Sequence, residues 1–327
     1  MTAPKQPAAA PLDPELETLR LGAAAAGGPP LVRLSPQEAR ARVTAGDRLC
    51  SDGPQVPTLD LDPQDDGPPV RVRVYEPEAC RGTLVYAHGG GWVTGDLEYS
   101  DELCRHLAVG VGLRVVSVDY RLAPEHPFPV GLDDLDGAWR WAEGCFGDGP
   151  LALGGDSAGG HLAAALTHRL VARGAPPALL LLVYPVLGRV GATASYDRCA
   201  DAFPVGRDDM QWFWDHYTSG GGSRRAGVEV SAPDLLPGSV PVQPGHPPTH
   251  LVLAGHDPLH DEGLAHAQRL ADAGVRVSVQ QHATLCHGFL RVTGACAAAR
   301  QALAGLVRAA NAAWPQAETT AAPKLCL

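Results

Sequence analysis

The chain has no apolar run long enough to cross a bilayer, since the longest, "ALLLLVYPVL" from Ala178 to Leu187, is the length of a strand. Membrane insertion is therefore not expected. A basic stripe is also missing, and 26 Lys and Arg residues against 36 Asp and Glu give a formal charge of -10. That balance excludes a nucleic-acid partner. Eight cysteines are scattered without a single C-x-x-C pair, which argues against a zinc knuckle or a disulfide framework. They read as reduced thiols serving as small core residues. The N-terminal stretch lacks the basic start, apolar centre and small-residue cleavage site of a secretory signal in that order, so a cytoplasmic protein is expected. No internal repeat or low-complexity linker divides the chain. No Lys-Ser/Thr follows "GGPPL" or "AAAAGG", so neither is a phosphate cradle.

What is present fits a globular protein: 327 residues, 45% hydrophobic and 19% charged, enough for one large domain or two smaller ones. The first ten or so residues and the last dozen are rich in Ala, Pro and Thr and read as frayed tails. Helical patches, "LDPELETLRLG" and "SPQEARARVTAGD", come before any strand. Strand and helix patterns then alternate, with strands at "VRVRVYEP", "GTLVYAHG", "LRVVSVDY", "PLALGG", "ALLLLVYPV", "THLVLAG" and "VRVSVQQH". Helices are expected over Glu98–Val109, Leu132–Glu143, Ala158–Arg173, Asp261–Ala273 and Ala295–Ala313. The central strands are apolar throughout, as parallel strands covered on both faces are. An open α/β sheet with right-handed crossovers follows. Only the segment Ser195–Gly238 breaks the rhythm; it is long, aromatic in its middle and glycine-rich after it.

Ligands gather at the carboxyl ends of such strands, and three ends here carry reactive side chains. In "LALGGDSAGGHLAAAL", Gly155, Ser157 and Gly159 form a G-x-S-x-G between a strand and a helix, where a sharp turn lifts the serine hydroxyl above the sheet. A serine needs a base, and His282 and His287 both follow the last strand. His287 sits in "CHGF" with a glycine for a tight turn, whereas His282 still belongs to the strand pattern and reads as structural. The base needs a carboxylate, and Asp257 ends "THLVLAGHD" after a strand and a glycine. Asp261 and Glu262 read instead as the first turn of the next helix. The order Ser157, Asp257, His287 is the nucleophile–acid–base order of α/β-hydrolases. The three glycines of "YAHGGGWVTGD" then acquire a purpose: bare backbone lets N–H groups close on an oxyanion, joined by the N–H of Ala158.

His256 and His260 flank Asp257 at i, i+4 spacing, but a metal pair there would require helix where a loop is expected. Trp212, Phe213, Trp214 and Tyr217 either line a substrate pocket or anchor a cap helix, and the sequence leaves these readings level.

The motifs "HGGGW", "VDYRLAPEHPFP", "GGDSAGG", "AGHDPLHDEG" and "CHGF", in this order, resemble those of the bacterial hormone-sensitive-lipase-like family of α/β-hydrolases. The likeness spans about residue 45 to 312. It implies the α/β-hydrolase fold, with nucleophile Ser157, acid Asp257, base His287 and oxyanion donors at Gly90, Gly91 and Ala158. It makes "DYRLAPEHPFP" a buttress beneath the oxyanion loop. It also implies an N-terminal cap region over 1–45, a catalytic domain over 46–314 with a cap insertion at about 195–238, and a flexible tail over 315–327. Cys286 departs from the bulkier apolar residue expected before the histidine, which bears on packing and thiol sensitivity. The implied function is a serine carboxylic-ester hydrolase working through an acyl-enzyme, with no cofactor and no metal. Short to medium acyl esters are expected, because a cap rimmed by Trp212, Trp214 and Phe203 closes the pocket. An amide or N-acetyl hydrolase of a secondary metabolite uses the same residues. A non-catalytic ligand-binding relative is disfavoured by the presence of His287. The expected partner is a small-molecule ester, and a homodimer is left open.

Overall fold

The structure, a computed structural model, describes residues 10–64, 67–219, 224–225, 228–229 and 232–315. Residues 316–327 of the tail expected over 315–327, and the glycine-rich stretch 220–223 within the insertion, lie outside the described residues. Eight strands form one sheet: β1 (Thr58–Leu61), β2 (Val72–Tyr75), β3 (Thr83–Ala87), β4 (Arg114–Val118), β5 (Leu151–Asp156), β6 (Leu180–Val183), β7 (Thr249–His256) and β8 (Val277–Cys286). Their spatial order is β1-β2-β4-β3-β5-β6-β7-β8. β1 and β2 pair antiparallel, as do β2 and β4, and every pairing from β4 to β8 is parallel. This is the open α/β sheet that the strand–helix alternation predicts, in the form of the α/β-hydrolase fold that the motif resemblance implies.

Side chains of a strand alternate between faces, and here both faces are apolar. Val85, Ala87, Val116, Val118, Leu153 and Leu182 face one side, where Leu132, Leu135 and Trp139 of α4 (Val130–Phe146) and Leu162 and Leu166 of α5 (Ala158–Ala172) cover them. Leu84, Tyr86, Val115, Leu181 and Val183 face the other, under Leu103 and Leu107 of α3 (Asp101–Leu107) and Leu303 and Leu306 of α10 (Ala297–Ala313). Burial of apolar surface on both sides, at about 25 cal/mol per Å², is what holds the sheet.

Helix and strand ends shift by up to four residues from the sequence expectation, and three differences are larger in kind. β1 was not foreseen: it is a short edge strand with Thr58, Leu59 and Asp60 exposed, so it has no apolar run to announce it. The helix expected to run to Val109 stops at Leu107 and widens into a π-turn over Ala108–Gly112. β8 continues past His282 to Cys286, with irregular pairing between the two.

The N-terminal helices form a cap. α1 (Pro14–Ala26) starts at Asp13, whose carboxylate accepts from the Glu15 and Leu16 N–H groups, and it buries Leu16. The Asp13 N–H donates to the Thr284 carbonyl and so ties α1 to β8. α2 (Pro36–Gly46) opens with a reciprocal Ser35–Glu38 capping box. Within the insertion, α6 (Ala194–Arg198) precedes α7 (Arg207–Thr218), which turns Met210, Phe213 and Tyr217 inward, and α8 (Ala232–Leu235) follows. α9 (His260–Asp272) leads from β7 back toward β8.

Candidate active site

Ser157 stands where β5 gives way to α5, and its φ of 54° lies in the left-handed region that β-carbon sterics disfavour. The turn is held from both sides, as the Ser157 N–H donates to Val183 and the Ser157 carbonyl accepts from His161 and Val186. The flanking glycines are required by space. A β-carbon on Gly155 would lie 2.3 Å from the Gly159 carbonyl carbon, and one on Gly159 would lie 2.0 Å from the Ala87 oxygen.

Asp257 follows β7 and His287 follows β8, so parallel pairing of the two strands sets their side chains together. Ser157 Oγ lies 2.9 Å from His287 Nε2, and His287 Nδ1 lies 2.8 Å from Asp257 Oδ2. Asp257 Oδ1 accepts the Leu259 N–H at 2.8 Å, which orients the carboxylate. All three groups are buried, with 5%, 1% and 6% exposure for Ser157, Asp257 and His287. With its Nδ1 proton held by Asp257, the imidazole presents a lone pair to the serine hydroxyl. Such a series can take a proton from Oγ and stabilise the resulting cation.

The glycine run lies beside this turn, because β3 pairs with β5. The Gly89 N–H is engaged, donating to Asp156 Oδ1 at 3.1 Å. Among the described residues no protein acceptor takes the N–H of Gly90, Gly91 or Ala158. A β-carbon on Gly90 would lie 2.2 Å from the Thr94 carbonyl oxygen, and one on Gly91 would lie 2.2 Å from the Phe213 ring. Beneath the run, the Tyr120 hydroxyl donates to the His88 carbonyl at 2.9 Å and the two rings stack. The Ala123 N–H donates to the Trp92 carbonyl. His88 itself is fully buried, and burial pushes its imidazole down to about 4.

A cavity of about 260 Å³ opens above Ser157, floored by Gly90 and Gly91. Leu31, Val43 and Leu49 come to it from the N-terminal region, and Phe203, Met210 and Phe213 from the insertion. The expected rim is thus corrected. Phe203 and Phe213 reach the cavity, but Trp212 and Trp214 do not line it, because the helical phase of α7 turns them to its flanks. Tyr217 stacks on Trp92 with ring centroids 4.3 Å apart and is buried behind the wall.

The other candidates take structural partners. His282 lies in β8 with its ring against Phe289. His256 closes β7 and bonds the Ala10 carbonyl, while His260 bonds Asp261. Asp261 pairs with Arg198 on the surface. Glu262 is different, since it is buried, accepts the Leu187 N–H at 2.8 Å, and has its carboxyl pushed up to about 8 by burial. Cys286 lines the cavity, and burial pushes its thiol up to about 12.

Two groups escaped the sequence reading. Asp156 Oδ1 collects the Tyr86 hydroxyl, the Ser100 hydroxyl and the Gly89 N–H, so it ties the nucleophile strand to the glycine run. Its place in "GGDSAGG" was the available signal. Arg291 lines the cavity, stacks 3.9 Å over Tyr99 and pairs with Asp47 from the N-terminal region. Nothing in the sequence links positions so far apart.

The model of the family described as alpha/beta hydrolase fold matches residues 84–291. A carboxylesterase of Mycobacterium tuberculosis is 38% identical over 262 residues, 74% of this chain and 79% of its own length. An ethyl acetate hydrolase of Pseudomonas putida is 35% identical over 260 residues, 75% of this chain and 79% of its own. Among solved structures, an ester hydrolase from the metagenome of Lake Arreo superposes with a TM-score of 0.82 at 33% identity, over 92% of this chain and 98% of that one. A hyperthermophilic esterase from the archaeon Pyrobaculum calidifontis gives 0.81 at 29%, over 93% and 99%. Among the described residues no helix is long and apolar enough to cross a membrane. The chain belongs to the alpha/beta-hydrolase-fold family and is homologous to its bacterial esterases and lipases.

Proposed function

We propose that the protein is a serine carboxylic-ester hydrolase of the hormone-sensitive-lipase-like group, acting through an acyl-enzyme on short to medium acyl esters. Ser157 attacks the ester carbonyl while His287 takes its proton, with Asp257 supporting the imidazolium. Gly90, Gly91 and Ala158 donate their N–H groups to the oxyanion. His287 then protonates the leaving alcohol. Water, deprotonated by the same imidazole, releases the acid and restores the serine. The observation that carries this reading is the unbroken series Ser157–His287–Asp257, at 2.9 Å and 2.8 Å, at the floor of an apolar cavity.

The acyl range follows from volume. At about 260 Å³ the cavity falls below the usual span of about 300–1,000 Å³ for small-molecule sites. Each buried methylene stabilises by about 0.8 kcal/mol only while room remains. A series of p-nitrophenyl esters tests this directly. kcat/KM is expected to peak at short to medium chains and to fall beyond them. A preference for long chains, or activation at a lipid interface, would contradict the proposed range.

A further inference from the structure

Trp92 ends the glycine run with a φ of 61°, a conformation that a residue with a bulky side chain holds only under constraint. The constraint is visible at the indole. Its Nε1–H donates to His161 Nδ1 at 3.3 Å, and the two rings meet edge-on with centroids 5.2 Å apart. An indole nitrogen is a donor only, so His161 Nδ1 must be the bare nitrogen. His161 Nε2 then carries the proton and donates it to the Leu235 carbonyl at 3.1 Å, in the insertion. Both ring nitrogens are used, and the tautomer is fixed.

His161 is also bound to the other half of the site. It lies one turn into α5, where its backbone N–H donates to the Ser157 carbonyl at 3.0 Å. One fully buried residue thus touches the nucleophile turn, the last residue of the glycine run and the insertion. We infer that His161 is a positioning residue, setting the glycine-run N–H groups against Ser157 by holding the Trp92 indole through Nδ1. Gly91, whose N–H is one of the proposed oxyanion donors, precedes Trp92 directly, so a drift of the indole moves that donor. Burial pushes the His161 imidazole down to about 4, which keeps Nδ1 available as an acceptor at neutral pH.

The inference rests on the proposed function, and side-chain length separates its two bonds. Asparagine puts an amide oxygen near the place of Nδ1, whereas glutamine puts an amide nitrogen near that of Nε2. His161→Asn, His161→Gln and His161→Leu are compared with wild type for kcat and KM on a short p-nitrophenyl ester. Inhibition by phenylboronic acid, which forms a tetrahedral serine adduct, and by the product acid is measured in parallel. Circular dichroism and Tm report the fold. His161→Asn is expected to retain kcat within about twofold, less than the worth of one neutral hydrogen bond. His161→Gln and His161→Leu are expected to lose kcat by about fivefold to tenfold with KM little changed, the factor such a bond supplies. Boronate binding should weaken by the same factor while product-acid binding does not. A folded His161→Gln enzyme with wild-type kcat and boronate affinity, or an Asn variant as impaired as the Gln variant, would overturn the inference. If the Leu variant fails to fold, the Asn and Gln pair decides alone. A wild type without ester turnover would overturn the proposed function and this inference together. An active wild type with an unchanged Gln variant would overturn this inference only.

Discussion

Asp257 and Asp261 stand four positions apart and have opposite surroundings. Asp257 is buried with one oxygen on His287 and the other on a backbone N–H, whereas Asp261 pairs with Arg198 at the surface. Asp257→Asn is expected to lower kcat by orders of magnitude, because an amide cannot support the imidazolium. Asp261→Asn should leave kcat within about twofold, since surface pairs contribute little. Steady-state kinetics on one short ester checks both. Glu262, next in the chain, makes a different prediction. Its folded-state value is raised from 4.5 to about 8, so the protonated form is the stable one. Its contribution is fully present below pH 4.5 and is lost as pH rises through about 8. Glu262→Gln keeps an oxygen for the Leu187 N–H and carries no charge. Its Tm relative to wild type should therefore rise between pH 5 and pH 9. A flat difference across that range would mean that the wild-type carboxyl is already ionised in the fold at pH 5.

The parallel strands were legible because strands buried on both faces write themselves as unbroken apolar runs, and G-x-S-x-G was legible because its glycines answer a local steric demand. β1 was not, since an exposed edge strand carries no such run. The tryptophans of α7 were misplaced at the rim although the information was present. Met210, Phe213 and Tyr217 recur at i, i+3 and i+7, the inward phase, which leaves Trp212 and Trp214 on the flanks. What no local pattern could give is how the cap is fastened. Arg40 of α2 donates to the Val93 and Ala123 carbonyls, on the glycine-run loop and its buttress, and pairs with Glu125. Arg40→Ala should cost about 1–3 kcal/mol of stability through the two abandoned carbonyls, and it should also lower kcat/KM because α2 loses its hold on that loop. Denaturant unfolding and kinetics on the same variant read the two effects separately. Full activity would show that the cap is fastened elsewhere, the Arg291–Asp47 pair being the next place to look.

Across the whole molecule, buried neutral histidines set the response to acid. Burial lowers His88 and His161 to about 4 and His266 to about 3, from 6.5, and also lowers His168, His246, His250 and His282. A depressed folded-state value means that the neutral ring is the one the fold prefers. The stability these groups contribute is present above about pH 6.5 and is lost as pH falls toward 4 and below, because the unfolded chain takes up the protons first. Glu262 works the other way between pH 4.5 and 8, as do Asp47, Asp119, Asp156 and Asp209, whose carboxyls burial raises from 3.8, but the lowered histidines outnumber them. Tm should accordingly fall steadily from pH 6.5 to pH 4. A Tm that holds constant over that interval would contradict the dominance of the buried histidines over the raised carboxyls.

The central claim is that Ser157 is the nucleophile of an acyl-transfer site, and a covalent adduct reads it most directly. The enzyme is treated with a fluorophosphonate, digested and mapped by mass spectrometry, beside a Ser157→Ala variant shown to be folded by circular dichroism. The expected result is a single phosphonyl adduct on the peptide that carries Ser157, with no labelling and no ester turnover in the variant. An adduct on another residue, or a folded Ser157→Ala enzyme that hydrolyses esters at the wild-type rate, would contradict the claim.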